Sequence, residues 1–350
     1  MLTFRNTDDR YKTEVAVALA TVESSTASAV EKTEMLVEIA MGLQKNPRLA
    51  AQLEGAVTLY RKALEICPVS EPLLKARTLA RMSTALRALP GDSSAPLHEA
   101  LACLADAAPT LSALGLTEET AELEMNRGLI VQSLATLGEG RIQDAIAAYQ
   151  RSLRVFDRER FPREFAILHN NLATAFLSVS VGGEGSKMSE ALAVTSFEEG
   201  LRGVNIVDHP VEYAMLQNNL GNALQSVTTS HAIENRLRAL EAYDEALRVR
   251  TRTEMPLEYA NTLANKANCL WGLPGDPQSP GGGPFENLKQ ARRLFAEALE
   301  IFDEGDEAMK SASVREALSQ LAKELGEALA RASSSARTTV FATRSKRGNA

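Results

Sequence analysis

Nine polar residues carry the clearest chemical signal in this 350-residue chain: Arg81, Asn126, Asn170, Asn171, Asn218, Asn219, Asn222, Asn265 and Asn268. Arg81, Asn126, Asn171, Asn219 and Asn265 recur at intervals of 45 to 48 residues. Asn170 and Asn218 directly precede two of these positions, and Asn222 and Asn268 follow two of them three residues later. A carboxamide donates and accepts at once, so one Asn can pair with a peptide unit whatever the sequence of that peptide. Asn is also a poor residue for a helix interior. Its return at one register therefore asks for a reason, either recognition of a partner or a structural hydrogen bond.

The other reactive residues do not assemble into a site. The four histidines (98, 169, 209 and 231) share no i,i+4 pairing and no nearby Cys, which excludes a zinc motif. His209 precedes Pro210 at a turn, where a structural role is expected. The acidic pairs Glu198/Glu199 and Asp303/Glu304 lie beside Arg and Lys, as on a solvated face. The stretch GGEGSK (182–187) lacks the spacing of a phosphate loop and follows no buried strand. No nucleophile, base or metal cluster stands out, so neither an enzyme nor a cofactor is expected.

The elements that must position the row are written in a repeated phrase. A small residue, a bulky one four later and a small one three beyond recur as Ala56/Tyr60/Ala63, Ala100/Leu104/Ala107, Ala145/Tyr149/Ser152, Ala193/Phe197/Gly200, Ala239/Tyr243/Ala246 and Ala291/Phe295/Ala298. With Leu64, Leu153, Leu201, Leu247 and Leu299 one residue on, the phrase makes one stripe of an α-helix. A second pattern follows it: Pro162, Pro210 and Pro256, each with Glu two residues later, read as helix starts. Those helices run on through a small centre at Ala173, Gly221 or Ala267, matched upstream by Ser83 and Gly128. The row stands two residues before each centre.

Phrase to next centre is 27 residues once and 28 four times, whereas centre to next phrase is 17, 17, 20, 18 and 24. The fixed step implies rigid stacking, and the variable one implies surface loops on the opposite edge. Those loops are read at 178–187, 227–235 and 273–285, where Gly, Pro and Ser argue against helix.

A net charge of −7 argues against general nucleic-acid affinity. It is unevenly spread: residues 331–350 hold Arg331, Arg337, Arg344, Lys346 and Arg347 with no acid. Three scattered cysteines suit reduced thiols. No secretory signal or membrane span is read, and a cytoplasmic location is expected.

Paired helices with Ala-x3-Tyr-x2-Ala-Leu on one and Asn-Leu-Gly/Ala-x-Ala on the other resemble tetratricopeptide repeats (TPR) over about 50–330, and the long period is similar to that of kinesin-light-chain-type and bacterial members. The usual period is near 34, and the proline that normally ends the second helix comes late here. That helix is therefore expected to run an extra turn or more. The resemblance implies an all-α, right-handed superhelix of about six helical pairs with caps, near fourteen helices in all. The expected layout is N-terminal capping helices at 1–48, the array at 49–306, a capping helix at 307–331 and a disordered basic tail at 332–350. It also implies that the first helix of each pair lines a concave groove, with the row of Arg81 and the asparagines pointing into it. The function it implies is a non-enzymatic scaffold holding a peptide or protein segment, with no nucleic acid and with a homodimer left open. The alternatives are an assembly chaperone gripping through the insert edge and tail, and a ligand sensor with a pocket inside the superhelix.

Overall fold

The computed structural model describes residues 2–47, 49–179, 184–227, 231–274 and 284–347. Among them there is no strand, and fourteen helices follow one another: α1 (Leu2–Ser24), α2 (Ala29–Lys45), α3 (Ala50–Ile66), α4 (Pro72–Ala88), α5 (Ala95–Leu114), α6 (Thr117–Thr136), α7 (Ile142–Ser152), α8 (Pro162–Leu177), α9 (Glu184–Gly203), α10 (Pro210–Ser226), α11 (Ala232–Leu247), α12 (Pro256–Trp271), α13 (Pro284–Glu304) and α14 (Ala308–Arg347). They gather into two compact units, residues 1–179 and 180–350. The repeat spacing does not announce this division, which falls inside the glycine-bearing segment 178–187.

The phrase lies on the odd-numbered helices α3 to α13, and the small centres lie on even-numbered ones. In the first unit α2 packs on α3, α4 on α5 and α6 on α7; in the second, α10 packs on α11 and α12 on α13. The bulky residue of each phrase is fully or almost fully buried, and so is its leading Ala. The small centres exist to receive those rings. A Cβ placed on Gly128 would lie 2.4 Å from Tyr149 Cε1, and one on Gly221 would lie 2.6 Å from Tyr243 Cε1. Burying such a side chain stabilises by about 1.5–3 kcal/mol.

Burial then obliges each tyrosine hydroxyl to find a partner. Tyr60 donates to Gln44 Oε1 (3.0 Å) and Tyr149 to Gln132 Oε1 (2.7 Å). Each glutamine passes the link to the next even-numbered helix: Gln44 Nε2 donates to Thr84 Oγ1 and Gln132 Nε2 to Thr174 Oγ1. In the second unit Tyr243 donates to Asn222 Oδ1 (2.7 Å) and accepts from Gln225. All three glutamines sit four residues past a small centre. Where the phrase carries Phe, that place holds Leu177 or Trp271, and the Trp271 and Phe295 rings meet edge to face.

Three of the five steps from phrase to centre carry the same kind of local turn. Asp157 Oδ1 accepts from the backbone N–H groups of Glu159 and Arg160, Asn205 Oδ1 from those of Val207 and Asp208, and Thr251 Oγ1 from that of Glu254. Each lies five residues before the proline that opens α8, α10 or α12. These side-chain turns halt the preceding helix and aim the chain into the next one. The residues before each proline thus form turns, not the extra helical turn expected from the late proline.

One further expectation is corrected. Helix enters the segments read as loops: α9 begins at Glu184, α11 at Ala232 and α13 at Pro284. First-turn N–H groups need no intrahelical acceptor, so Gly, Ser and Pro cost little there. The rest of those loops (180–183, 228–230 and 275–283) lies outside the described residues. Helix α14 also continues past 331 to Arg347, since no Gly or Pro interrupts the sequence before Gly348. Finally, α2 is the first member of a pair with α3, joined through Gln44 and Tyr60, so this pair straddles the boundary read at 48/49.

The residues read as solvated or structural are so placed. Glu198 pairs with Arg238, Glu199 with Arg202, Asp303 with Arg315 and Glu304 with Arg252. His209 immediately precedes α10, and its backbone N–H donates to Asn205 O. Cys67, Cys103 and Cys269 are free thiols. Burial pushes Cys103 and Cys269 up to about 11.

Candidate functional site

Within each unit the even-numbered helices approach one another directly: α2 meets α4, α4 meets α6 and α6 meets α8, and in the second unit α10 meets α12. Among the described residues of each unit, no phrase-bearing helix makes a comparable contact with the next phrase-bearing helix. Within each unit the even-numbered helices therefore form the closer-packed side, and the row of polar residues sits on them.

The first unit has a recess of about 610 Å³ on this side. Helix α2 contributes Met41, Gln44 and Lys45 to it, α4 contributes Arg77, Arg81 and Thr84, and α6 contributes Glu119, Glu122, Leu123 and Asn126. Two members of the row, Arg81 and Asn126, thus share one wall. Arg77 is held by Glu119 through two hydrogen bonds of 2.6 and 3.1 Å. That bond keeps the Glu119 carboxyl below its usual value, helped by the Leu116 N–H, although partial burial works against it. Desolvation pushes Glu122 the other way, opposed by Arg81. Tyr60, at the floor, is pushed up to about 12 by burial. Arg81 and Lys45 make no ion pair among the described residues, so the recess offers two uncommitted cations, one half-buried carboxamide and an apolar patch.

The remaining asparagines are divided in their duties. On α8, Asn170 Nδ2 donates to Asn171 Oδ1 (3.3 Å), and both side chains are half-buried. In the second unit Asn218 is buried; it donates to Asn219 Oδ1 (3.0 Å) and accepts from Asn265 Nδ2 (3.2 Å), tying α10 to α12. Asn222 holds the Tyr243 hydroxyl, and Asn268 is exposed. The structure therefore brings Arg81 and Asn126 together in one unit and Asn218, Asn219 and Asn265 together in the other. Asn218 and Asn222 have structural partners of the kind that the register alone left open. Sequence reading missed Glu38, which occupies the row position on α2, as well as Lys45 and Glu122. Taking α2 as a cap hid the first of these; counting two residues back from Ala40 would have found it.

Helix pairs repeat in register, ring against small centre, and successive pairs are linked through the even-numbered helices. The fold is a TPR-like helical repeat. No protein-family model matches the sequence, and no curated protein matches it. Among solved structures, a Rap protein complexed with competence and sporulation factor is 14% identical, with 88% of this chain and 80% of that one covered and a TM-score of 0.43. A signal-transduction ATPase with numerous domains and a tetratricopeptide repeat sensor, from Pyrococcus horikoshii, is 13% identical with a TM-score of 0.46. The match covers 86% of this chain but only 43% of that protein. The TPR2AB domain of yeast Sti1 in complex with an HSP90 peptide is 14% identical, covering 83% and 99% of the two chains, with a TM-score of 0.28. Among the described residues no group of three or more His, Cys, Asp or Glu could hold a metal ion, and no helix is long and apolar enough to cross a membrane.

Proposed function

We propose that the chain is a non-enzymatic scaffold that holds an extended peptide or protein segment against the inner face of its row-bearing helices. The observation that carries this reading is the recess of about 610 Å³ in the first unit, where Arg81 and Asn126 stand together above Met41 and Leu123. Its groups suit a peptide backbone with an apolar side chain and a nearby anionic group. The carboxamide of Asn126 pairs with an amide unit in both directions, the apolar patch takes the side chain, and Arg81 and Lys45 meet the negative charge. In the second unit Asn265 spends one donor on Asn218 and keeps a second for a ligand. Asn219, Asn265 and Asn268 extend the same reading there.

The test is selection of peptides from a random library on the full chain, followed by affinity measurement by fluorescence anisotropy. Replacing Arg81 and Asn126 by Ala should weaken the selected peptides by about tenfold or more, because a hydrogen bond to a charged group contributes about 1.5–3 kcal/mol. The melting temperature should not move, since neither side chain buries core surface. Peptides that bind the doubly substituted chain as tightly as the parent would refute the assignment.

A further inference from the structure

The register of the repeat exposes a surface that the inner face does not use. Counting from each small centre, the residue five places earlier faces the preceding pair. Leu123 belongs to a cluster with core residues of α4 and α5, and Leu168 to one with core residues of α6 and α7. Thr78, Leu123, Leu168, Leu216 and Thr262 fill this place and are between 0 and 4% exposed. The place one before the centre is filled by Met82, Leu172 and Leu220 where it is apolar, and these are 4 to 7% exposed. On α2 the same two places are Met35 and Ile39, exposed at 39% and 37%. They are one turn apart and, at 3.6 residues per turn, Met35 lies about 180° and Ile39 about 140° around the helix from Gln44, which reaches α4. Helix α1 packs on α2 and α3 but leaves this flank bare. Met35 and Ile39 thus stand at the contact places of the register with no preceding pair packed on them among the described residues. They border a recess of about 630 Å³ edged by Glu31, Glu34 and Glu38. Glu31 is engaged by Ser28 in the cap of α2, while Glu34 and Glu38 make no ion pair among the described residues.

The opposite end of the chain is covered. The first half of α14 packs on α13, burying Val314, Leu321 and Leu325, and Glu324 accepts from Trp271 Nε1 (2.8 Å). Beyond Glu327 the helix continues to Arg347, about 30 Å at 1.5 Å per residue. That stretch is rich in Ala and contains Val340 and Phe341, together with Arg331, Arg337, Arg344, Lys346, Arg347 and no acid.

We propose that the basic C-terminal stretch of α14 from a second copy of this chain docks on the bare flank of α2, set over Met35 and Ile39 and held by Glu34 and Glu38. The charges are complementary, and a helix is what the repeat geometry leaves out at that place. In a stacked array each repeat packs against its neighbours, and a helix from a second copy would fill the place of one. The contact joins unlike surfaces, so association depends on concentration. It uses the end of the array and leaves the recess of the inner face free, so it stands or falls independently of peptide holding.

The experiment is sedimentation velocity of the full chain over a ~100-fold concentration range at low ionic strength, repeated at ~0.5 M salt, where the Debye length shrinks to a few ångströms. The mean mass should climb with concentration, and salt should lower the association constant by about tenfold or more. Deleting 331–350 should leave a monomer, as should Glu34→Lys with Glu38→Lys; Met35→Ser with Ile39→Ser should weaken association. Mixing the Glu34→Lys/Glu38→Lys protein with an Arg344→Glu/Lys346→Glu/Arg347→Glu protein should restore association, which also shows that both variants fold. A monomer at every concentration would overturn the proposal. So would association that survives the deletion or ignores the α2 substitutions. A concentration-independent contraction, abolished by the same variants, would place the stretch on its own α2 and likewise overturn docking between copies.

Discussion

Replacing Gly128 by Ala should destabilise the first unit, although the same change in an ordinary helix stabilises. In a helix interior Ala is favoured over Gly by about 0.5–1 kcal/mol. At Gly128 the new methyl would sit 2.4 Å from Tyr149 Cε1 and 2.7 Å from Cδ1, far inside contact distance. The ring cannot swing aside freely, because Tyr149 is fully buried and its hydroxyl is tied to Gln132 at 2.7 Å. Overpacking of this kind costs about 1–3 kcal/mol, and a ring that retreats enough to break the Gln132 bond loses about 0.5–1.5 kcal/mol more. Set against the helix gain, the net loss is about 1–3 kcal/mol. At a urea slope of about 1–3 kcal/mol per molar, the midpoint should fall by about 0.5–1 M, followed by circular dichroism. Gly42→Ala is the internal control: that glycine is also helical and in the same unit, but a Cβ there meets nothing within 4 Å. It should raise the midpoint. Equal shifts for the two substitutions, or a neutral Gly128→Ala, would refute the claim that the small centre exists to seat the ring.

Tyr149→Phe should cost about 1 kcal/mol by leaving the Gln132 amide short of a partner, and Gln132→Leu should cost a similar amount by orphaning the hydroxyl. The double variant should cost clearly less than the sum in a urea-denaturation cycle, because it recreates the Phe-with-Leu combination that the chain already carries at 197 and 177. A fully additive cycle would count against the coupling. Glu119 gives a pH dependence. The Arg77 bond lowers its carboxyl, so the stabilisation is present above the unfolded value near 4.5 and is lost as pH falls through the folded value. The pair is partly exposed, so the effect should be about 1 kcal/mol or less. Glu119→Gln should flatten the stability profile below about pH 5, and an unchanged acid limb would show that the pair contributes nothing.

How much of this was readable beforehand depends on whether a residue's role is local or relational. Proline at 162, 210 and 256 opened helices where expected because the first turn has N–H groups to spare, a property that needs no partner to be known. The phrase and the small centre were equally legible, since a stripe at helical spacing reports its own burial. The turns between phrase and centre were written in plain view as Asp157, Asn205 and Thr251, each five residues before a proline. Looking for a longer helix concealed them. The asparagines lie on even-numbered helices, but their chemistry is not uniform, because an asparagine's duty is decided by what its place in the register meets. Asn222 faces Tyr243 and is held by a hydroxyl; Asn126 shares its repeat with Tyr149, but there Gln132 takes that hydroxyl, leaving Asn126 on the wall of the recess. The same logic explains Met35 and Ile39. As letters they are two apolar residues on a helix, no different from Leu168 or Leu172, and only the register combined with exposure reveals that their neighbour is absent. A repeat sequence thus states what each repeat requires of the one before it, and on α2 that requirement goes unmet among the described residues.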